Sequence, residues 1–394
     1  MKPTVWTFAA NAMDIQRSLA QTGTSPEPAL LCLNRKEAAT LLDLPALDEP
    51  AAVMQAAASL RSTLGTAVVI LGEDSNYADT PQASGWLTRP APHRTRPGTD
   101  AVFAEAAAQA LARGFVAMEA IVIACMATQD ALSQDAGATP LPARPDFAQR
   151  IDNLPHFSLP QPASVSGFAA LSTPDMGLYA VVDSAAWVAR VVAAGVRTVQ
   201  LRIKDAEGAE HRDFVRGQIR ESIRSATAAG AQLFINDHWQ LAIEEGAYGV
   251  HLGQEDLHIA DLAAIKQAGL RLGISTHAYW EVCRAWALQP SYIACGPIHP
   301  TQAKAMPWIP QGNANLAYWC KLLPLPVVGI AGMDVARTQQ AAACGAEGVA
   351  LISAITAAPS PEAAILDLQQ ALQRGRSGPA VDAPPLPRPT LAAA

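Results

Sequence analysis

The sequence has few charged residues and no paired-cysteine motif. Charged side chains make up 16% of the 394 residues, and the formal net charge is −7 at pH 7. A chain of this charge lacks the basic surface that binds nucleic acids or anionic membranes, so we expect neither partner. The six cysteines form no C-x-x-C pair. We expect them to be reduced and buried, as in a cytoplasmic protein.

Long hydrophobic runs are also missing. A run such as Ala120–Ala127 is too short to span a bilayer. No apolar segment follows a basic start, so we expect no signal peptide. The chain has 394 residues, and half of them are hydrophobic. It is long enough for two domains, each with its own core.

Two segments without helical or strand periodicity divide the chain. Residues 133–175 are rich in Pro, Ser, Gly and Asp, which predicts a linker. Residues 376–394 are rich in Pro and Ala, which predicts a disordered tail. We therefore expect one domain at 1–132 and a second at 176–375.

Eight short apolar runs lie between these segments, and each is followed by a helical stretch. This alternation predicts a parallel sheet, and eight units favour a closed (β/α)8 barrel over an open doubly wound sheet. The predicted strands are 177–183, 198–204, 232–237, 249–252, 272–276, 292–296, 327–332 and 348–354. The predicted helices are 185–194, 211–229, 239–245, 259–268, 279–288, 313–322, 335–344 and 361–373.

The first domain also has an α/β pattern. The runs at 29–33 and 67–72 predict strands, and the segments 49–64 and 101–113 predict helices. These are too few strands for a complete large domain.

Polar residues gather at the ends of the predicted barrel strands, where β/α barrels hold their active sites. The second strand ends in the run Gln200–Lys204, QLRIK. Alternation along a strand would direct Gln200, Arg202 and Lys204 into the barrel. Two cations and an amide suit an oxyanion or a diphosphate, although a structural ion-pair layer would use the same residues.

Two aspartates follow the next two strands. Asp237 comes directly after Asn236, and Asp256 follows the fourth strand. Neighbouring strands would bring these carboxylates together, and Mg²⁺ prefers such oxygen ligands beside phosphate oxygens. Taken singly, each Asp would more often cap a helix.

The fifth and sixth strand ends carry further polar residues. Ser275 and His277 end the fifth strand, and His277 is assigned no role at this point. Thr301 and Lys304 lie in the loop GPIHPTQAK. This loop is either an ordinary surface loop or one that folds over a ligand and supplies a phosphate-binding cation.

The last two strand ends predict a backbone phosphate site. The seventh predicted strand ends in Gly332, and Ile352 and Ser353 lie at the end of the eighth. In many barrels the loops here bind phosphate through N–H groups, and a glycine allows close approach. With the cationic site, this predicts two phosphorylated substrates, or one with phosphates at both ends.

These segments, in this order, resemble thiamine phosphate synthase. The resemblance implies a TIM-barrel transferase of thiamine biosynthesis that joins a pyrimidine diphosphate to a thiazole phosphate with Mg²⁺. It is carried by the segments GLYAVVD, QLRIK, FINDHWQLA, YGVHLGQEDL, GISTH, GPIHPTQAK, MPWIPQG and GVALISAI.

The resemblance also implies residue roles. The pyrimidine diphosphate would be held by Gln200, Leu201, Arg202, Ile203, Lys204, Asn236, Ser275 and Lys304. Of these, Arg202, Lys204 and Lys304 would assist catalysis, and Asp237 and Asp256 would bind Mg²⁺. The thiazole phosphate would be held by Thr301, Gln302, Ala303, Gly332, Ile352 and Ser353.

The chain departs from the family pattern at three positions. His299 stands where an aromatic residue is frequent, Ala303 where a hydroxyl residue is frequent, and His238 where Arg or Tyr is common. Ala303 would remove one side-chain contact to the thiazole phosphate, which a backbone N–H could replace.

The first domain resembles, more faintly, the C-terminal half of hydroxymethylpyrimidine phosphate kinase, which has a ribokinase-like fold. The matching segments are LLCLNRKEAATLL, AVVILGED and PGTDAVFAEAAAQALARG. The family's catalytic Cys aligns with Ala101, and Asp100 replaces a loop Gly. We therefore expect an incomplete, inactive kinase remnant that serves in dimerisation, stability or docking.

Two other functions would use the same barrel. A thiazole tautomerase would use His277 in acid–base chemistry. A non-catalytic regulatory protein of the thiamine pathway would be built from two worn-down enzymes. Retention of both aspartates and of the cationic run favours the transferase, because a tautomerase binds no diphosphate. A homo-oligomer is compatible with each of these functions.

Overall fold

The computed structural model describes residues 4–20, 29–134, 137, 139–159, 165–204, 209–301 and 307–392. The candidate residues Gln302, Ala303 and Lys304 lie outside these ranges. The chain divides into two compact units. The first comprises Met1–Pro162, Ala278–Ala287 and Pro389–Ala394, and the second comprises Ala163–His277 and Leu288–Arg388.

The first unit is built on a six-stranded sheet whose spatial order follows the chain. The first three strands are parallel, and the remaining three pair antiparallel. The strands are β1 (Val5–Thr7), β2 (Leu30–Asn34), β3 (Ala67–Leu71), β4 (Ser75–Asp79), β5 (Ser84–Thr88) and β6 (His156–Ser158). The helices are α1 (Phe8–Ala20), α2 (Arg35–Leu41), α3 (Pro50–Leu64), α4 (Thr99–Ala112) and α5 (Ala117–Ser133).

A capping residue explains where α2 begins, and an ion pair compensates the buried charge in α5. Asn34 caps α2, because its side chain accepts from the Glu37 N–H at 3.0 Å and its own N–H donates to the Glu37 carboxylate at 2.9 Å. The helix α5 is buried along nearly its whole length. Its carboxylate Asp130 is paired with Arg144 at 2.7 Å, so the charge does not remain uncompensated in the core.

The structure differs from two expectations for the middle of the chain. Residues 133–175 do not form one linker, because β6 belongs to the first sheet and Arg144 pairs with α5. Residues near 170 belong to the second unit, where the Ser172 N–H donates to the Tyr248 hydroxyl at 2.8 Å. The first domain also contains more strands than expected, since β1, β4, β5 and β6 were not predicted.

The second unit is a closed barrel of eight parallel strands, which confirms the predicted fold class. The strands are β7 (Gly177–Val182), β8 (Thr198–Leu201), β9 (Gln232–Asn236), β10 (Gly249–Leu252), β11 (Arg271–Thr276), β12 (Tyr292–Cys295), β13 (Val327–Ile330) and β14 (Gly348–Leu351). The helices that follow them in the chain are α6 (Ala185–Ala193), α7 (Ala209–Ala228), α8 (Trp239–Glu244), α9 (Leu262–Gln267), α10 (Tyr279–Leu288), α11 (Gly312–Leu322), α12 (Val335–Ala343), α13 (Ser353–Thr356) and α14 (Pro361–Ser377). Of these, α10 belongs almost entirely to the first unit.

Large side chains fill the barrel interior. Tyr179, Phe234 and Tyr292 are fully buried and lie in one core cluster with smaller residues from β13 and β14. The Tyr292 ring meets the rings of Tyr179 and Phe234 edge to face, with centroids 5.8 and 5.0 Å away, and the Tyr179 and Phe234 rings are tilted, with centroids 6.0 Å apart. The interior is therefore a packed core, and chemistry is confined to the strand ends.

The residues after α14 do not match the expectation of a disordered tail. The structure describes this segment as far as residue 392, and the Arg388 N–H donates to the Asn315 side chain at 2.8 Å. Within the first unit, the Thr390 hydroxyl and N–H both donate to the buried Glu119 carboxylate, at 2.6 and 2.9 Å. Specific polar contacts therefore hold a segment whose composition alone suggested disorder.

All six cysteines are described, and none is in a disulfide. Five of them are buried, and Cys320 is partly exposed. No helix in the described part of the chain is long and apolar enough to cross a membrane.

Candidate functional site

Four of the predicted charged residues, Arg202, Lys204, Asp237 and Asp256, follow the carboxyl ends of three neighbouring strands. The strands β8, β9 and β10 are adjacent, with Gln200 opposite Phe234 and Asn236 opposite His251. The strand β8 is shorter than predicted and ends at Leu201. Arg202 and Lys204 therefore lie just beyond it, and both are exposed.

Asp237 is held in an unusual backbone conformation. Its φ of 59° lies in the left-handed region, which Asp tolerates better than most residues. The Asp237 N–H donates to the His251 carbonyl at 3.1 Å, and the Asn236 amide donates to the Asp237 carboxylate. These contacts orient the carboxylate at the end of β9.

Asp256 and Arg202 both act on the charge of Asp237 from beyond the ends of the neighbouring strands β10 and β8. Burial, repulsion by Asp256 and a hydrogen bond with Asp256 raise the Asp237 pKa to about 7, while Arg202 and Asn236 oppose the rise. Two carboxylates that repel each other are expensive to keep ionised together. A divalent cation between them would relieve that repulsion, so this donor pair fits Mg²⁺.

Asp256 is positioned by the loop after β10. It begins a short 3₁₀ helix, Asp256–His258, and its Oδ2 accepts from the Gly253 N–H at 3.1 Å. A Cβ at Gly253 would lie 2.8 Å from that oxygen, so the missing side chain leaves space for the carboxylate. Within the described ranges, no three His, Cys, Asp or Glu side chains converge as metal ligands. A cation here would complete its shell with substrate oxygens and water.

A chain of buried hydrogen bonds inside the barrel connects Gln200 with Ser275. It passes through Tyr179, Tyr292 and His251, which we did not predict as site residues. Burial, with a smaller contribution from Arg202, lowers the pKa of His251 to about 4. Each of the three missed residues puts a polar group on a buried strand, and such a group needs a partner. That requirement was the signal in the sequence.

The loops after β12 and β13 lie against each other. The N–H groups of Ile298 and His299 donate to the carbonyls of Ile330 and Ala331, at 2.9 and 3.2 Å. Gly332 has a φ of 67°, and a Cβ there would lie 2.6 Å from the Pro300 carbonyl oxygen. This glycine therefore allows close approach, but the backbone that approaches it belongs to the neighbouring loop.

The other predicted phosphate-binding residues lie at the same end of the barrel. Ile352 follows β14 and is 40% exposed, and Ser353 begins α13. Because β13 and β14 are neighbours, Gly332 and Ile352 follow adjacent strands. Thr301 is half-buried and is the last described residue before the gap at 302–306.

His277 is associated with an aromatic ring. It stacks on Trp308 with centroids 5.5 Å apart and an interplanar angle of 9°. Trp308 comes after the gap in the loop that follows β12. The stack therefore links the end of β11 to that loop.

The barrel matches a known family. The family model for thiamine monophosphate synthase matches residues 178–355. The thiamine-phosphate synthase of Serratia proteamaculans is 51% identical over 203 residues, which cover 50% of this chain and 92% of that protein. The thiamine-phosphate synthase of Salmonella newport is 50% identical over 194 residues, covering 49% and 90% of the two chains.

A solved structure also matches this half of the chain. The thiamine phosphate pyrophosphorylase of Pyrococcus furiosus is 22% identical, with a TM-score of 0.44. The match covers 51% of this chain and 98% of that one. On the identity and coverage of the sequence relatives, this chain belongs to the thiamine-phosphate synthase family of transferases.

Proposed function

We propose that the chain couples 4-amino-2-methyl-5-(diphosphooxymethyl)pyrimidine to a thiazole phosphate and releases diphosphate, as a step of thiamine biosynthesis. The observation that carries this proposal is the placement of Arg202, Asp237 and Asp256 after the carboxyl ends of the adjacent strands β8, β9 and β10. One cation next to a carboxylate pair suits a ligand that brings both negative charge and a divalent metal ion.

The diphosphate would be bound by cationic side chains and by Mg²⁺. Asp237 and Asp256 would hold the ion, and Arg202, Lys204 and Lys304 would neutralise the phosphate oxygens. When bound, Mg²⁺ would stabilise the negative charge of the departing diphosphate. The exposed positions of Arg202 and Lys204 let both side chains reach a ligand above the barrel.

The chain's own residues would perform the coupling by positioning and charge stabilisation. The pyrimidine would lie against Gln200, Asn236 and Ser275 while its bond to diphosphate breaks. The aminopyrimidine stabilises the resulting cation, and the thiazole nitrogen attacks the exocyclic carbon. This dissociative route needs no protein nucleophile, so the site needs mainly electrostatic stabilisation and orientation.

The thiazole phosphate would bind at the ends of β13 and β14. Its proposed contacts are Thr301, Gln302, Ala303, Gly332, Ile352 and Ser353. The adjacent loops after β12 and β13 support this placement, because together they form a backbone surface at one end of the barrel.

We further propose that the first unit is a kinase remnant without phosphorylating activity. The helix α4 begins after Gly98, whose φ is 95°, and carries Asp100 and Ala101 in its first turn. The Asn34 side chain, at the end of β2, donates to the Asp100 carboxylate at 3.3 Å, so the residue that replaces the loop Gly has a partner in the first sheet. ATP-dependent phosphorylation of hydroxymethylpyrimidine by the full chain would contradict this proposal.

One assay tests the principal activity. The purified full chain is supplied with both phosphorylated substrates and Mg²⁺, and thiamine phosphate and diphosphate are quantified together. We expect equal amounts of both products, and loss of both with EDTA. Absence of product with Mg²⁺ would contradict the proposal. Turnover of a thiazole tautomer by the same sample would then indicate an isomerase, and its absence a regulatory protein.

A further inference from the structure

A continuous chain of hydrogen bonds crosses the barrel interior. The Gln200 amide nitrogen donates to the Tyr179 hydroxyl at 3.0 Å, and that hydroxyl lies 2.7 Å from the Tyr292 hydroxyl. The Tyr292 hydroxyl is 2.7 Å from the His251 Nδ1, and the His251 Nε2 is 2.8 Å from the Ser275 Oγ. The two ends of this hydrogen-bond chain, Gln200 and Ser275, are residues that we propose to contact the pyrimidine.

The interior members of the chain cannot reach water. Tyr179 is 1% exposed, Tyr292 is 0% exposed and His251 is 5% exposed. A buried donor without an acceptor destabilises a protein by about 1–3 kcal/mol. Each proton on these three side chains must therefore have an acceptor within the hydrogen-bond chain, and this requirement fixes the direction of the chain.

The Gln200 amide determines which group donates and which accepts at each step of the hydrogen-bond chain. Its NH₂ group can only donate, so the Tyr179 oxygen accepts and the Tyr179 proton goes to Tyr292. The Tyr292 proton then goes to the His251 Nδ1, and a neutral imidazole must carry its own proton on Nε2. The opposite direction, or a protonated imidazole, would send the Tyr292 proton to Tyr179 and leave the Tyr179 proton without an acceptor.

The direction determines what each end presents to a ligand. Because His251 donates to the Ser275 oxygen, the Ser275 hydroxyl keeps its proton for another acceptor, and no described residue accepts it. Gln200 uses its NH₂ inside the barrel, so its carbonyl oxygen remains an acceptor. The Gln200 end of the hydrogen-bond chain is therefore an acceptor, and the Ser275 end is a donor.

We infer that Tyr179, Tyr292 and His251 are positioning residues that select a 4-aminopyrimidine over a 4-oxopyrimidine. An aminopyrimidine edge has an N–H donor beside a ring-nitrogen acceptor, which complements one acceptor and one donor. The 4-oxo ring has the reverse order, so it would leave a buried polar group unpaired. This inference rests on the proposed function, since it concerns the same pyrimidine site.

The packing around Tyr292 fixes the position of its hydroxyl in the hydrogen-bond chain. A Cβ at Gly273, on the neighbouring strand, would lie 2.1 Å from the Tyr292 ring. The Tyr292 ring is also stacked on His251, with centroids 5.7 Å apart. A ring held between two strands offers its hydroxyl in one place, as a positioning residue requires.

The first test measures the tautomer of His251 directly. The full chain is labelled with ¹⁵N-histidine, and the ring-nitrogen signals are assigned by their loss in His251→Gln. We expect a proton on Nε2 and a lone pair on Nδ1. A proton on Nδ1, or on both nitrogens at neutral pH, would overturn the inference. The tautomer is measured on the unmodified protein. The His251→Gln variant serves only to assign the signals, so it does not have to be active.

The second test measures discrimination between the two rings. The KM of the 4-amino diphosphate is compared with the inhibition constant of its 4-oxo analogue. We expect the ratio of the inhibition constant to the KM to fall about tenfold in Tyr292→Phe and in Tyr179→Phe, because each variant loses one hydroxyl. The matched control is Tyr248→Phe, because the Tyr248 hydroxyl bonds Gln232 at the opposite end of the strands. Its ratio should match that of the unmodified chain.

The outcomes separate this inference from the proposed function. If the unmodified chain forms no thiamine phosphate, the proposed function fails. If it forms product and both Phe variants keep the original ratio, only the inference fails. A fall in the ratio that also occurs in Tyr248→Phe would show a general loss of packing and would likewise overturn it.

Discussion

The carboxylate of Asp256 occupies the space that a side chain at Gly253 would fill. A Cβ at Gly253 would lie 2.8 Å from Asp256 Oδ2, and the Gly253 N–H donates to the same oxygen at 3.1 Å. The glycine thus both makes room for the carboxylate and orients it. This relationship explains why a residue without a side chain can matter at an acidic site.

We expect Gly253→Ala to weaken the response to Mg²⁺. The added methyl group would displace the Asp256 carboxylate, and outer contacts of metal ligands commonly contribute about 10-fold to 100-fold in affinity or activity. The measurement is the Mg²⁺ concentration that gives half-maximal rate. Gly217→Ala is the matched control, because nothing lies within 4 Å of a Cβ at Gly217 in α7. Equal Mg²⁺ responses in the two variants would contradict the assignment of Asp256.

We expect Asp237→Asn to lower turnover by about 100-fold or more while it stabilises the metal-free protein. The amide keeps the shape and tolerates the positive φ, but it removes the repulsion with Asp256. Turnover and the melting temperature in EDTA are the two measurements. The exposed Asp213, on α7, provides the control variant Asp213→Asn. A lower melting temperature in Asp237→Asn would show that the carboxylates do not oppose each other.

We expect Lys204→Ala to lower kcat by about 100-fold, since it removes a charge that would neutralise the leaving diphosphate. The folded stability should change little, because the side chain is exposed. Steady-state kinetics and thermal melting check both statements. Lys36→Ala, on the exposed side of α2, serves as the control for loss of one positive charge. Unchanged kcat in Lys204→Ala would remove Lys204 from the site.

We expect Thr390→Val to destabilise the first unit more at pH 8 than at pH 5. Burial raises the Glu119 pKa from 4.5 to about 6, and the Thr390 hydrogen bonds oppose that rise by stabilising the charged form. A raised folded-state pKa means that the Glu119 contribution to stability falls as the pH rises from about 4.5 through 6. Above that window the charged carboxylate needs the hydroxyl most, and its loss should cost about 1–3 kcal/mol.

Calorimetric melting of Thr390→Val at the two pH values tests this expectation. Thr40→Val is a suitable control, because the Thr40 hydroxyl donates within an exposed turn of α2. A destabilisation of equal size at both pH values would show that Glu119 stays protonated, or stays charged, throughout.

The barrel strands were predicted well because each is an apolar run that can be recognised from its own residues. Each run, such as 249–252, is buried on both faces, so it is recognisable without its neighbours. The strand β4 was missed for the opposite reason. The polar residues Asn76 and Asp79 are buried on β4 only because distant partners satisfy them, such as Arg61 at 3.3 Å from Asp79. That compensation is tertiary and leaves no local pattern.

The candidate site shows the same division. Residues just beyond strand ends, such as Asp237 and Ser353, were predicted because β/α barrels place polar residues there. Tyr179 and Tyr292 were not, because a tyrosine in an apolar strand is usually a packing residue. Only the distances between hydroxyls from different strands reveal that they form a chain. Contacts across the barrel cannot be read from spacing along the sequence.

The close packing of Gly273 against Tyr292 has a consequence for how the barrel can vary. Since the tyrosine ring occupies the volume above Gly273, neither position can change alone without a clash or a void. We expect the two positions to covary among relatives: a larger residue at 273 should accompany a smaller one at 292. Wherever that exchange has occurred, the ring selectivity of the enzyme should have changed with it.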